Sequence, residues 1–266
     1  MSVAFILAGA GLVDGDRPVG GRPWQVPEEF IPRNVRRRLS RLILQGLQVT
    51  WAASDPGADV PLVFGTANGE IETIAALLPV VLGPDPAVSP TLFHNSVHNA
   101  APGYWAILAR RLAASTTVTA GPATFEMALL EAVCRLQGGA PQVQVTAGDE
   151  AIRTASWADP GHCTRDFCGS LRLAARPPDG VPCLGVIESL DHGPPEDHGF
   201  SEDPEEVRVI DLDALPGGDR HPCASLHRVL EFLLGPPGAR RLRLRRALPG
   251  GSVLEAVFRR EMGPDD

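Results

Sequence analysis

The stretch STTVTAGPATFEMALLEA, residues 115–132, decides how this chain folds. Its first part, Ser115 to Ala120, is a β-branched run of the kind that packs well on a pleated, buried surface. Beyond it the apolar period lengthens: Phe125, Leu129, Ala132, Val133 and Leu136 share one face of a helix running from about Ala123 to Leu136. Gly121 and Pro122 stand between the two as the break from strand to helix. A strand delivering directly into a helix is the repeating unit of an α/β protein.

Working outward, the same alternation recurs. Gln142 to Thr146 reads as the next strand, closing on Ala147 and Gly148. Upstream, Pro61 to Phe64 gives a short strand, GTANGE (residues 65–70) a turn, and Ile71 to Leu82 a helix. Near the start, Ser2 to Leu7 is an apolar strand, and Ala-Gly-Ala-Gly (residues 8–11) reads as the turn that ends it. Those glycines are not a dinucleotide fingerprint, because Asp14, Gly15 and Asp16 follow where a helix should open. Between these strands, Val35, Leu39, Leu42, Ile43, Gly46, Leu47 and Thr50 recur at helical spacing. Arg36, Arg37, Arg38 and Arg41 fill the opposite side, which predicts one amphipathic helix from Arg33 to Thr50 with a basic outer face. That face is either a solvated surface or a docking site for an acidic partner. Strand and helix alternation predicts a layered α/β fold with a largely parallel sheet.

Beyond Gly148 the pattern loosens. Cys183 to Ser189 and Val207 to Asp211 read as strands separated by an acidic loop, Asp191 to Glu206. A helix follows at Ala224 to Leu234, then a half-buried strand at Arg240 to Arg246, a turn at Pro249 to Gly251, and Val253 to Phe258 pairing back as a hairpin. No internal repeat is visible. Residues 1–150 are expected to form the core and residues 151–266 a continuation of the same domain.

Composition narrows the function. The chain has 266 residues, 44% of them hydrophobic, and a formal net charge of −8, which disfavours a nucleic-acid surface. All 24 basic residues are Arg, so neither a Schiff-base lysine nor a P-loop lysine is present. No apolar run approaches the ~20 residues of a membrane span. The apolar start lacks a basic leader, so a cytoplasmic protein is expected. Five cysteines in irregular spacing predict reduced thiols. His162, Cys163 and Cys168 lie close together but without zinc-site spacing, and no metal or cofactor is expected. His192, His198, His221 and His227 are scattered and read as solvated or locally bonded.

Three motifs carry a resemblance: IPRNVRRRLSRL (residues 31–42), FGTANGE (64–70) and NSVHNAAPGYW (95–105). Together with the element order they resemble the β-ketoacyl synthase-like N-terminal domain family, which includes chain-length-factor-like proteins of aryl polyene gene clusters. The likeness covers Val3 to Glu150. It implies a thiolase-like fold, the N-terminal half of a ketosynthase, with a layered sheet and helices on both faces.

In active members of that family the strand matching Thr116 to Ala120 ends at a nucleophilic cysteine opening the next helix, where dipole and free N–H groups stabilise thiolate and oxyanion. Here Gly121, Pro122 or Ala123 takes the position, and none offers a thiol or hydroxyl. Thr119 and Thr124 flank it, but a threonine without an adjacent base is a poor nucleophile. Cys134 lies about three turns along the helix, too far to substitute. The histidines of the synthase's second half are expected to be missing with most of that half, which would leave a broad apolar face for a partner to cover.

The resemblance therefore implies a non-catalytic subunit of the chain-length-factor type in fatty acid, aryl polyene or polyketide biosynthesis. Its expected partner is an active ketosynthase, contacted through Asn95, Ser96, His98, Asn99, Pro102, Gly103, Tyr104 and Trp105. Acyl carrier protein is a second possible partner, docking at Arg36, Arg37, Arg38 and Arg41. Two rival readings are a small acyltransferase or hydrolase using Cys163 or Cys168 with His162, and a homodimeric acyl-binding scaffold.

Overall fold

The computed structural model describes residues 3–21, 24–154, 163–177, 180–194, 207–213, 221–236, 238–248 and 251–261. His162, His198, most of the acidic loop and Pro249–Gly250 of the predicted turn lie outside these residues. In chain order the strands are β1 (Ala4–Val13), β2 (Arg17–Pro18), β3 (Leu62–Gly65), β4 (Ser115–Val118), β5 (Gln142–Asp149), β6 (Phe167–Ala174), β7 (Gly185–Gly193), β8 (Val207–Asp211), β9 (Arg241–Ala247) and β10 (Val253–Arg260). The helices are α1 (Arg33–Arg36), α2 (Arg41–Ala53), α3 (Ile71–Val81), α4 (Pro90–Asn95), α5 (Ala100–Leu108), α6 (Thr124–Gln137) and α7 (Ala224–Leu234).

The strands form one sheet in the order β4-β3-β5-β6-β1-β7-β10-β9-β8, with β2 on β1. The sheet is mixed, not largely parallel. Only β3–β4, β3–β5 and β8–β9 pair in parallel; β6, between β5 and β1, runs antiparallel to both. β6 is the strand that sequence periodicity missed, because both of its faces are buried. Phe167, Leu171 and Leu173 join the main core, while Ser170 turns to the other face. There Thr50 of α2, Gln144, Thr146 and Ser170 bond one another at 2.7–3.0 Å, a closed polar layer between helix and sheet.

Helices cover both faces of the first half of the sheet. α2 and α5 pack on one face through Ile43, Leu47, Phe64 and Trp105. α6 and α7 pack on the other through Phe125, Leu129, Leu226 and Leu230. The predicted turn at residues 8–11 is instead the middle of β1. Glycine serves close approach there: a β-carbon on Gly9 or Gly11 would stand 3.0 or 2.8 Å from the Leu230 methyls of α7. The single helix predicted from Arg33 to Thr50 is two. α1 is one short turn, and Ser40 starts α2 afresh by accepting the Ile43 N–H at 3.0 Å.

Outward from the β1–β7 seam, the order is β1, β6, β5, β3, β4 on one side and β7, β10, β9, β8 on the other. On each side the first strand of the half lies at the seam, the last lies antiparallel beside it, and the penultimate strand follows the inner helix, α6 or α7. The chain therefore contains an internal repeat that the sequence did not disclose. The second half is shortened rather than missing, and it supplies the cover that the sequence reading assigned to a partner. Leu242, Leu244, Ala256 and Phe258 are buried in one core with α6 and α7. No helix of the described residues is long and apolar enough to cross a membrane.

Candidate functional site

β4 ends at Val118 on the edge of the sheet, and the chain enters α6 through a 3-10 turn, Gly121–Ala123. Gly121 has φ 53°, the left-handed conformation that side chains other than glycine adopt at a cost. A β-carbon placed on it would meet nothing within 4 Å. Pro122 is exposed, and Ala123 is buried at the foot of α6. Of the three candidate positions, Gly121 alone is in the left-handed conformation, at the turn from strand to helix. Thr124 is buried and closes the turn, donating to the Gly121 carbonyl at 2.7 Å and accepting the Ala120 N–H at 3.0 Å.

Thr119 is not isolated, as the sequence suggested. His98 Nε2 lies 2.5 Å from its hydroxyl, which also contacts the Thr66 carbonyl oxygen at 2.8 Å. A hydroxyl has one proton. Both contacts are satisfied together when Thr119 donates to Thr66 and His98 donates from Nε2 to Thr119. In that arrangement the imidazole holds the oxygen as a donor and is no base for it. Partial burial lowers the His98 pKa from its ordinary value.

The turn behind this pair is held by a residue that the sequence gave no reason to select. Asp149, at the end of β5, accepts the Ala67 and Asn68 N–H groups at 3.0 and 2.7 Å and the Thr66 hydroxyl at 3.0 Å. Burial pushes its carboxyl up to about 6 against those bonds. A buried ion pair joins the halves nearby: Arg246 of β9 lies 3.3 Å from Glu126 of α6, which also accepts the Ser225 hydroxyl of α7 at 2.5 Å. His221, read as solvated or locally bonded, is buried and locally bonded. Its Nδ1 accepts the Cys223 N–H at 3.0 Å at the start of α7, and burial lowers its pKa to about 4.

The motif at residues 95–105 divides into anchors and surface. Asn95 is buried, donating to the Arg38 carbonyl at 2.6 Å and accepting from the Tyr104 hydroxyl at 3.2 Å. Pro102 and Trp105 are also buried, Trp105 edge-on to Phe30 at 5.7 Å. Ser96, Gly103 and Tyr104 are half-buried; His98 and Asn99 are exposed. Around them lies an apolar surface that sequence reasoning did not single out: Leu82 is 80% exposed, Phe93 64%, Ile107 70% and Leu112 95%. A signal was present in Ile71 to Leu82, which is apolar at nearly every position and therefore on more than one helix face. Arg36, Arg37 and Arg38 are exposed on α1 and the turn after it, and Arg41 pairs with Asp166 at 2.9 Å.

The two thiols of the rival cysteine reading make poor nucleophiles. Cys163 and Cys168 are buried, and burial pushes both upward, away from the thiolate. Among the described residues no three His, Cys, Asp or Glu side chains converge so as to hold a metal ion.

The family described as β-ketoacyl synthase, N-terminal domain, matches residues 17–156. The chain belongs to this family. The matched segment carries the elbow, the Thr119–His98 contact and the exposed apolar surface. No curated protein sequence matches the chain. Among solved structures it is similar to the ishigamide ketosynthase/chain length factor, with TM-score 0.67 and 17% identity over 97% of this chain and 99% of that one. It is also similar to the ketosynthase (ApeO) in complex with its chain length factor (ApeC) from Xenorhabdus doucetiae, with TM-score 0.63 and 17% identity over 98% and 100% of the two chains. A type II polyketide synthase structure, AntDE:AntF, an acyl-carrier protein in complex with its ketosynthase, superposes with TM-score 0.74 at 12% identity over 97% and 99%. At these identities the likeness establishes a shared ketosynthase fold.

Proposed function

We propose that this chain is the non-catalytic, chain-length-factor-type subunit of a heterodimeric β-ketoacyl-carrier-protein synthase that builds a fatty acid, aryl polyene or polyketide chain. The observation that carries the reading is the elbow at Gly121. Gly121 turns into α6 in the left-handed conformation, with open space where a side chain would project, and it has no side chain to attack with. Such a subunit contributes shape and contact, while its partner holds the acyl chain covalently.

The partner surface is the face formed by α3, α4, α5 and the edge strand β4. It exposes Leu82, Phe93, Ile107 and Leu112 beside the unpaired rim of the sheet, an arrangement that isolated proteins avoid. His98 and Asn99 lie on this face, while Asn95 and Trp105 support it from beneath. Arg36, Arg37 and Arg38 supply a cationic surface for an acyl carrier protein. The test is coexpression with candidate ketosynthases from the same genome. A stable heterodimer that extends acyl chains only when both subunits are present is the expected result; a chain that stays monomeric at high concentration refutes the reading.

A further inference from the structure

The ion pair that joins the two halves is not fully satisfied within the chain. Glu126 of α6 is 3% exposed and Arg246 of β9 is 5% exposed. Glu126 Oε1 accepts the Ser225 hydroxyl of α7 and Arg246 Nε, the latter at 3.3 Å. Arg246 Nη1 lies 3.6 Å from Asp213 Oδ1, an ionic contact too long for a good hydrogen bond. The remaining atoms of the pair, Glu126 Oε2 and Arg246 Nη2, are both buried, and neither has a hydrogen-bond partner among the described residues. Both side chains line one cavity, together with Arg245 and apolar residues that include Phe125, Leu129, Leu244 and Ala256. It leaves about 10 Å³ for the centre of a water-sized sphere. That is the threshold for holding one water molecule, ~10–15 Å³.

We propose that this cavity is the binding site of one internal water molecule, which accepts from Arg246 Nη2, donates to Glu126 Oε2 and so completes the polar joint between the two halves of the chain. A buried donor and a buried acceptor without partners each keep the full cost of their desolvation, so a ligand that satisfies both at once is strongly favoured. The two atoms also select its chemistry. Arg246 Nη2 can only donate and an ionised Glu126 Oε2 can only accept, so the ligand must do both. A halide would meet Glu126 as a like charge, and a metal cation would meet Arg246 as one. Ammonium offers no acceptor. An alcohol or an amide carries both functions but needs more space than a single water. Water meets every condition, and two polar partners are the minimum that keeps it in place where a purely apolar cavity would stay dry. The site lies within the folded chain and depends neither on a partner nor on the function proposed above.

Two measurements on the full chain, without any synthase, test the site. A crystal structure at a resolution that orders internal waters should show one within about 3.2 Å of both Arg246 Nη2 and Glu126 Oε2. Direct contact between these two atoms, as in a bidentate pair, or a dry cavity between them, overturns the proposal. In solution, oxygen-17 relaxation dispersion counts the water molecules that exchange slowly from the interior. Ala256→Val adds two methyl groups to the cavity wall and keeps both Glu126 and Arg246, and it should lose one such molecule relative to wild type. An unchanged count overturns the site. Should Ala256→Val fail to fold, Glu126→Met combined with Arg246→Met removes both polar partners and is read in the same way: one slow water fewer supports the site, and an equal number overturns it.

Discussion

Replacing Gly121 with cysteine tests the elbow directly. A β-carbon at this position meets nothing within 4 Å, so the cost is that of the φ of 53° alone, about 1–2 kcal/mol for a side-chain-bearing residue. For a domain of this size that lowers Tm by roughly 2–8 °C and leaves the chain folded at room temperature. The new thiol would stand at the head of the 3-10 turn that leads into α6, a helix of 14 residues whose dipole and free N–H groups favour the thiolate. Thiols at helix N-termini titrate at ~3.5–7.5, against ~8.5 for a free cysteine. Intact-mass spectrometry after incubation with an acyl thioester reads the outcome. The background should carry Cys134→Ala, since Cys134 is the exposed native thiol. One added acyl group on Gly121→Cys and none on wild type is expected. An unreactive variant that remains folded would show that the turn no longer presents a side chain to substrate. Acylation of wild type at Thr119 would refute the non-catalytic reading and reverse the donor assignment of His98.

Three further outcomes follow from the same geometry. Leu82→Asp and Phe93→Asp alter residues 80% and 64% exposed, so the isolated chain should keep its stability within ~0.5 kcal/mol while heterodimer Kd rises at least about tenfold, read by native mass spectrometry and titration calorimetry. Arg246→Met leaves Glu126 buried without its cation and should cost about 3–5 kcal/mol in denaturant unfolding, whereas Arg246→Met with Glu126→Met should recover most of that loss. Stability should peak in mildly acidic solution. The raised carboxyls Asp149, Glu70 and Glu150 favour the folded state least once ionised, so stability falls as pH rises through about 6 to 8; lowered carboxyls such as Asp166 lose their contribution as pH falls below the usual carboxylate range. A denaturation midpoint that rises from pH 6 to 9 contradicts this ordering.

The fold was legible where one side of an element is apolar and the other polar. Phe125, Leu129 and Leu136 marked α6, which presents one face to the core, and Leu242 and Leu244 alternating with arginines marked β9, although Arg243 on its other face is buried against Glu255. It was illegible where both faces are buried. In β6, Cys168, Gly169, Ser170 and Arg172 interrupt any period, yet Ser170 is as buried as Leu171, one serving the polar layer under α2 and the other the core under α7. The glycines of β1 misled for a related reason. Gly9 and Gly11 make room for Leu230, a contact some 220 residues distant in sequence that no local window contains. The parallel sheet was expected from alternation alone, and a missed antiparallel strand between β5 and β1 was enough to change the sheet's character.

The candidate site was legible in residue identity and illegible in what supports it. A turn reading Ala-Gly-Pro-Ala declares that nothing there can attack a thioester, and this needs only residue identity. What holds that turn is tertiary: Asp149 pins Thr66, Thr66 accepts from Thr119, and Thr119 meets His98, three links joining residues up to 83 positions apart. The same reasoning bears on the proposed partner surface. A first half that had lost its second would bury its inner helices against another chain, and α6 would be the contact. Because β7 to β10 and α7 cover that side, the inner face is closed within the chain, and exposed apolar area shifts to α3, α4 and α5. Substitutions on the buried face of α6 should then act on folding, and substitutions at Leu82, Phe93 and Ile107 on assembly. Leu129→Ala, at a fully buried position, is the control that separates them: a loss of about 2–5 kcal/mol in unfolding, with the affinity of the folded fraction for its synthase unchanged. An affinity that falls with Leu129 while stability holds would return the partner to the inner face.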